Sequence, residues 1–183
     1  MNTDKRTKKL CFSELPVIQG EKTVLKPLTD RDAGPLSRLA ADERVYRWLP
    51  TFLFERKYAD AHEVIRRLYT ECLEESLIFG VFENGVFCGL AEFYGYKDPI
   101  HKISVGYRLL PECWGRGLAS DALGAMIRFL YGQTDIEIIT ASTMVENSAS
   151  AKVLQKNDFT LVVSGAEEDW GYGRPTIADK WIR

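Results

Sequence analysis

Apolar residues recur along this chain in two rhythms, and the switches between them predict the elements. Lys22 to Leu28 alternates as a first strand, with Pro27 placing it near a sheet edge. Thr29-Asp30 then offers a helix cap before Leu36, Leu39 and Ala40. Ala61, Val64, Ile65, Leu68 and Tyr69 recur at helical spacing and predict a second helix over 59–74. Two β-rich runs, Ser76 to Phe82 and Val86 to Tyr94, flank Glu83-Asn84-Gly85. Asn-Gly tolerates the positive φ of a tight hairpin, so these runs pair antiparallel. A further strand spans Ile103 to Leu109, where Gly106 signals a bulge or a close backbone approach. From Gly117 to Tyr131 the period is helical, with Leu118, Ala122, Leu123, Met126, Ile127 and Leu130 on one face and Asp121 and Arg128 turned away. Strand 137–142, a short helix opening at Asn147, and strands 159–164 and 176–182 complete the chain. The predicted order is β-α-α-β-β-β-α-β-α-β-β, an α/β (α+β) mixed sheet with helices on both faces.

At 183 residues the chain suits one domain, drawn here as 21–183 behind an N-terminal arm, 1–20. Lys5, Arg6, Lys8 and Lys9 make that arm basic, which suits a solvated tail or a phosphate-contacting one. Twenty-four Lys and Arg against 26 Asp and Glu give a net charge of −2, which disfavours a general nucleic-acid binder. No apolar stretch approaches the ~20 residues of a membrane helix, and no secretory apolar segment follows the basic start. A cytoplasmic protein without membrane attachment is expected. The four cysteines show no CxxC spacing, and His62 and His101 are far apart, so neither a metal site nor histidine base catalysis is expected.

The segment Pro111-Glu-Cys-Trp-Gly-Arg-Gly-Leu-Ala119 carries the most chemistry. A strand ends, Gly115 and Gly117 form a turn, and a helix begins at once. The first helical N–H groups have no internal partners and sit at the positive end of the helix dipole, so the turn can cradle phosphate. Arg116 either adds a charged contact or stands in solvent. The alternative is a purely structural turn. A dinucleotide fingerprint is disfavoured, because Ser120 stands where the third glycine belongs and Ile138 and Ile139 stand where a ribose-binding acid is wanted. No Lys-Ser or Lys-Thr pair follows the glycines, so Walker-type binding fails too. Beyond the next strand, Asn147 is placed to cap a helix with Ser150 on its first turn, at the strand end where ligands enter α/β sheets.

Taken together, P-x-x-W-G-R-G-L-A before a helix and E-N-x-x-S-x-x-V-L-x-K-x-x-F after the next strand resemble the GCN5-related N-acetyltransferases (GNAT), and more narrowly the branch of ribosomal-protein N-terminal acetyltransferases. The opening Lys22 to Ala33 is similar to that branch as well. The resemblance spans residues 21–183 and implies a GNAT-like, mostly antiparallel sheet of about six to seven strands flanked by about four helices. It implies acetyl-CoA as cosubstrate, no metal, and transfer of the acetyl group to a primary amine by direct attack in a ternary complex. The implied acceptor is a protein N-terminus; the alternatives are a small-molecule amine (polyamine, amino sugar or aminoglycoside) or a non-catalytic acyl-CoA sensor. Either a monomer or a homodimer suits it.

By the same resemblance, the amides of Trp114, Gly115, Arg116, Gly117, Leu118 and Ala119 hold the coenzyme A pyrophosphate. The backbone of Tyr107 to Leu109 lies along the pantetheine arm and directs an N–H at the thioester carbonyl. Asn147 matches the pantetheine-side Asn, and Ser150 the Ser near the sulfur, which makes Ser150 the favoured general acid. Two departures occur: Trp114 replaces the usual Gln or Arg, and Asn157-Asp158 stands before Phe159 where a glycine is usual. For the base, Glu92 is favoured, since it interrupts the apolar run LAEFY beside the cofactor strand; Glu146 and Asp169 are weaker choices. Its alternative is an outward position on an alternating strand. Tyr94, Tyr107 and Trp114 read as cleft walls.

Overall fold

The computed structural model describes residues 15–73 and 76–183. The chain enters through two short strands, β1 (Ile18–Gln19) and β2 (Val24–Lys26), which pair antiparallel. β1 is additional to the expected elements. It buries Ile18 in the core, so Ile18 and Gln19 of the expected arm belong to the sheet. The basic cluster of that arm lies outside the described residues. β2 pairs with β3 (Ser76–Glu83) on its other side, so Pro27 follows a strand that is one in from the edge.

Between β2 and β3 the chain forms three helices rather than two. Thr29 donates its N–H and hydroxyl to Asp32 Oδ2, at 2.7 and 2.9 Å, and a 3-10 turn leads into α1 (Ala33–Ala41). The extra helix is α2 (Glu43–Tyr46), only four residues long and capped by Asp42. Four residues are too few for a helical period to show in sequence. The next helix, α3 (Ala61–Leu68), is shorter than expected, capped by the Asp60 carboxylate at the His62 N–H.

β3 turns through Asn84 and Gly85, at φ 49° and 80°, into β4 (Val86–Lys97), as the Asn-Gly signal requires. β4 pairs with β5 (Lys102–Leu109), which runs into α4 (Leu118–Gln133), β6 (Ile138–Met144), α5 (Ser148–Lys156), β7 (Thr160–Glu168) and β8 (Thr176–Ile182). The sheet has eight strands in the order β1-β2-β3-β4-β5-β6-β8-β7, slightly more than expected, and every neighbouring pair is antiparallel except β5 with β6. Phe93 of β4 stacks on Phe129 of α4. Its neighbour Glu92 necessarily points to the opposite face, where it meets Arg108 and, through it, Glu55. Helices therefore cover both faces.

One local expectation needs correction, and one departure from the family pattern is accommodated. Asp121 does not turn away from the fold: it accepts hydrogen bonds from the N–H groups of Glu21, Lys22 and Thr23 and from the Thr23 hydroxyl, at 2.7–3.0 Å, tying α4 to the β1–β2 turn. Burial works to raise its carboxyl, but these donors hold it below the usual value. The left-handed residue before Phe159 is Asp158, at φ 58°. Asn157 instead donates from Nδ2 to Ser120 and Val153, linking α5 to α4. Among the described residues no helix is long and apolar enough to cross a membrane.

Candidate active site

The parallel pair opens the site. β5 and β6 are in register only from Lys102↔Ile138 to Ser104↔Thr140, and then they part. Leu110 donates its N–H to Cys88 O, at 2.8 Å, on the β4 side. Backbone groups alternate along a strand, so Val105, Tyr107 and Leu109 turn their N–H and C=O groups toward the opening that β6 has left. A cleft of about 1050 Å³ occupies this gap, lined on β5 by Gly106 and Tyr107, on α5 by Asn147 and Ser150, and on β4 by Glu92 and Tyr94.

Between the end of β5 and α4 stands the glycine turn. Gly115 and Gly117 take φ 70° and 80°, a region in which other residues are strained. Gly117 is the N-cap of α4, and Asp121 is the first residue whose N–H reaches back into the helix, to Gly117 O. The N–H groups of Leu118, Ala119 and Ser120 accordingly have no intrahelical acceptor. Trp114 donates from its indole to Leu109 O, at 2.8 Å, which ties the turn to the end of β5 and occupies that carbonyl. Arg116 is half-exposed and pairs with Glu83 rather than closing over the turn. A residue that the motif did not single out, Lys22, brings its ammonium to 3.4 Å from Arg116 O. Nothing in its sequence surroundings sets it apart from a surface lysine.

In the cleft, Asn147 caps α5, its Oδ1 accepting from the Ser150 N–H at 3.1 Å. The Ser150 hydroxyl lies 2.9 Å from the Tyr107 hydroxyl. Burial pushes the Tyr107 phenol up, so it stays protonated at neutral pH and can donate. Sequence reading treats Tyr107 as a wall; the structure makes it the partner of Ser150.

Glu92 is buried, and its strand partner is Gly106. A Cβ at Gly106 would stand 3.2 Å from Glu92 Cγ, so the glycine leaves room for that side chain. This is the close approach Gly106 signals; register runs unbroken past it, without a bulge. Glu92 Oε2 accepts from Arg108 Nη1 at 2.8 Å. Arg108 also grips Glu55, Nε to Oε1 at 2.5 Å and Nη2 to Oε2 at 2.8 Å. Tyr46 donates to Glu55 Oε1 at 2.5 Å. Sequence reading misses Arg108, Glu55 and Tyr46. Arg108 alone leaves a trace, a charge inside an otherwise apolar strand. Of the weaker candidates, Glu146 is exposed before α5, and Asp169 is exposed and accepts from the Gly171 N–H at 2.8 Å.

Glu92 and Ser150 thus approach one cleft from opposite faces of the sheet. On the Glu92 side, two segments far apart in sequence are clasped: Thr51 donates its N–H to Trp170 O at 2.9 Å, and Tyr172 its hydroxyl to Leu49 O at 2.5 Å.

Residues 22–160 match the model of the acetyltransferase (GNAT) domain family. The chain belongs to the GNAT acetyltransferases. This GNAT enzyme is similar to the uncharacterized N-acetyltransferase YoaA of Bacillus subtilis (strain 168), 21% identical over 148 residues that cover 79% of this chain and 82% of that protein. Among solved structures it resembles RimL, a ribosomal L7/L12 alpha-N-protein acetyltransferase in complex with coenzyme A, with a TM-score of 0.77 and 18% identity over 92% of this chain and 97% of that one. RimJ of Mycobacterium smegmatis, in complex with CoA-disulfide, superposes with a TM-score of 0.75 and 20% identity over 92% and 86%. The acetyltransferase MccE, in complex with acetyl-CoA and AMP, gives 0.76 and 16% over 89% and 92%. These likenesses establish the GNAT fold.

Proposed function

We propose that this GNAT enzyme transfers the acetyl group of acetyl-CoA to a primary amine by direct attack in a ternary complex, with a protein N-terminus as acceptor. The observation that carries this reading is the parting of β5 from β6 between the glycine turn and Ser150. It supplies strand-edge donors and a hydroxyl within one cleft, and the turn that follows β5 supplies a phosphate cradle. Two solved relatives of the same fold hold coenzyme A or its disulfide, and a third holds acetyl-CoA.

In this reading the amides from Gly115 to Ala119, with the Lys22 ammonium beside them, receive the diphosphate, and Trp114 keeps the turn against β5. The pantetheine arm lies along Tyr107 and Leu109 on one side and Asn147 on the other. Only the Leu109 N–H is open to it there, because the Leu109 carbonyl is taken by Trp114. The amine enters from the face that carries Glu92. Its proton passes to the Glu92 carboxylate, its nitrogen forms the bond to the acetyl carbon, and the carbon–sulfur bond breaks. Ser150, backed by the Tyr107 hydroxyl, hydrogen-bonds the departing sulfur. Two faces for two reactants is what direct transfer requires, and holding both in one cleft supplies much of the acceleration. An N-terminal amine, with a pKa near ~8, is already partly neutral at cell pH, whereas a lysine near ~10.4 is not, so one buried carboxylate suffices for the former.

The test is a panel of acceptors with acetyl-CoA, following free thiol release: peptides with free small N-terminal residues, spermidine, an aminoglycoside and free lysine. Saturable release fastest with the peptides supports the reading. Faster turnover of spermidine or the aminoglycoside would move the acceptor to small amines, and no release with any amine would leave a binding module only.

A further inference from the structure

The cluster behind Glu92 is built more elaborately than a lone base requires. Arg108 and the Glu55 side chain are 2% and 0% exposed, and the Glu92 side chain 9%. A charged group is rarely buried without a partner, yet here two carboxylates share one guanidinium. The sharing is unequal. Glu55 receives one N–H of Arg108, from Nη2, has the guanidinium Nε as a second ion-pair contact, and accepts the hydroxyl of Tyr46. Glu92 receives a single N–H, from Nη1 at Oε2, and no second contact from the guanidinium. Glu92 Oε1 accepts no hydrogen bond from the described residues, and Glu92 lines the cleft. Gly106 leaves the space on β5 through which that side chain reaches.

We propose that Arg108 and Glu55 are a positioning pair for Glu92: the guanidinium holds one carboxylate oxygen so that the other faces the acceptor amine, and Glu55 holds the guanidinium and shares its charge. The inference rests on the reading of Glu92 as base. Arg108 is charged at every accessible pH, so it acts as a permanent brace. A guanidinium beside a carboxylate favours its ionised form, and a second carboxylate on the same guanidinium opposes that influence. Glu55 divides that influence. The cluster carries one negative charge more than positive when both carboxylates are ionised, and an incoming ammonium supplies the missing cation. One proton then moves from nitrogen to Glu92 Oε1, leaving the amine lone pair for the acetyl carbon, and the second proton that nitrogen sheds as the amide forms goes to the departing thiolate.

Other groups face Glu92 as well. Tyr94 follows on β4, and burial, with Glu92 and Glu168 beside it, pushes its phenol up, so it is neutral. Glu168 of β7 is paired with Lys180 of β8, which takes up its charge. Tyr46 is likewise pushed up by burial and the Glu55 carboxylate. Lys57, Lys102, Glu167 and Asp169 also line the cleft, but Arg108 is the charge bonded to Glu92 and Glu55 the charge bonded to Arg108.

The experiment is a side-chain carboxyl NMR titration of the full chain labelled at glutamate Cδ, with Glu92 assigned by the signal lost in Glu92→Gln. Arg108→Gln should move the Glu92 midpoint up by about one unit or more, and Glu55→Gln should move it down by a comparable amount. Opposite signs are the signature, since a purely structural pair would disturb Glu92 in one sense. Should Arg108→Gln fail to fold, the near-isosteric Glu55→Gln decides alone: a downward shift supports the pair, and no shift or an upward one overturns it. A pH profile of kcat/KM with a peptide acceptor separates the underlying reading. If Glu92→Gln keeps the acid limb of the wild type, Glu92 is not the base, whatever the titration shows. If it loses that limb while the two shifts fail to oppose each other, the base stands and the positioning pair does not.

Discussion

Replacing Ser150 by Ala removes one oxygen and tests the leaving-group end of the cleft. In the resting protein that oxygen makes a 2.9 Å bond with the Tyr107 hydroxyl, which keeps a second acceptor, Ser150 O, at 3.3 Å. The ground-state loss is therefore about 1 kcal/mol, a fall in Tm of roughly 2–4 °C for a chain of this size. At the departing sulfur, which carries developing negative charge, a hydrogen bond is worth about 1.5–3 kcal/mol. Its loss should lower kcat about ten- to 150-fold. The Kd for acetyl-CoA should change less than about threefold, because the hydroxyl is not part of the phosphate cradle. Tyr107→Phe leaves the Ser150 hydroxyl in place without its orienting partner, and about 1 kcal/mol corresponds to roughly fivefold in kcat. Single-turnover thiol release gives the rate and calorimetry the Kd. A Ser150→Ala enzyme turning over within twofold of the wild type would remove Ser150 from the mechanism; parallel losses in rate and acetyl-CoA affinity would make it a binding residue instead.

Gly117→Glu places a side chain at φ 80°, with its Cβ 3.5 Å from Lys22 Nζ. The left-handed backbone costs about 1–2 kcal/mol, the new carboxylate pairs with Lys22, and acetyl-CoA binding by calorimetry should weaken about a hundredfold or more; unchanged affinity would exclude the turn as the phosphate site. Asp121→Asn removes the charged acceptor of four donors and should destabilise the fold by about 2–3 kcal/mol in urea. Because the Asp121 carboxyl is held below its usual value, that contribution is fully present above about pH 4 and fades as pH falls further. The stability difference between wild type and variant should narrow in acid, and a difference independent of pH down to about 2 would show that the charge is not what matters.

Much of this was legible in sequence where local chemistry decides local form. Asn84-Gly85, Asn147 and Gly117 each demand a particular backbone geometry or cap, and each takes it. Strands 103–109 and 137–142 fall within a few residues of β5 and β6. What was not legible depends on elements meeting. β1 and α2 are too short to show a period. Asp121 has the spacing of a solvent-facing residue, and only the packing of the β1–β2 turn gives it three amides to hold. Glu55 and Arg108 lie 53 positions apart, and neither carries a motif; their pairing follows from the chain after α2 being laid across β5. The parting of β5 from β6, on which the whole site depends, is a tertiary feature that no residue spacing encodes.

The central claim is that acetyl-CoA enters between β5 and β6 with its diphosphate on the amides that open α4. A crystal structure of the protein soaked with acetyl-CoA measures this directly. The account predicts phosphate oxygens within hydrogen-bond distance of the Gly117 to Ala119 amides and the sulfur beside Ser150. A diphosphate seated away from that turn, or a pantetheine arm that never enters the gap beyond Ser104 and Thr140, would contradict it.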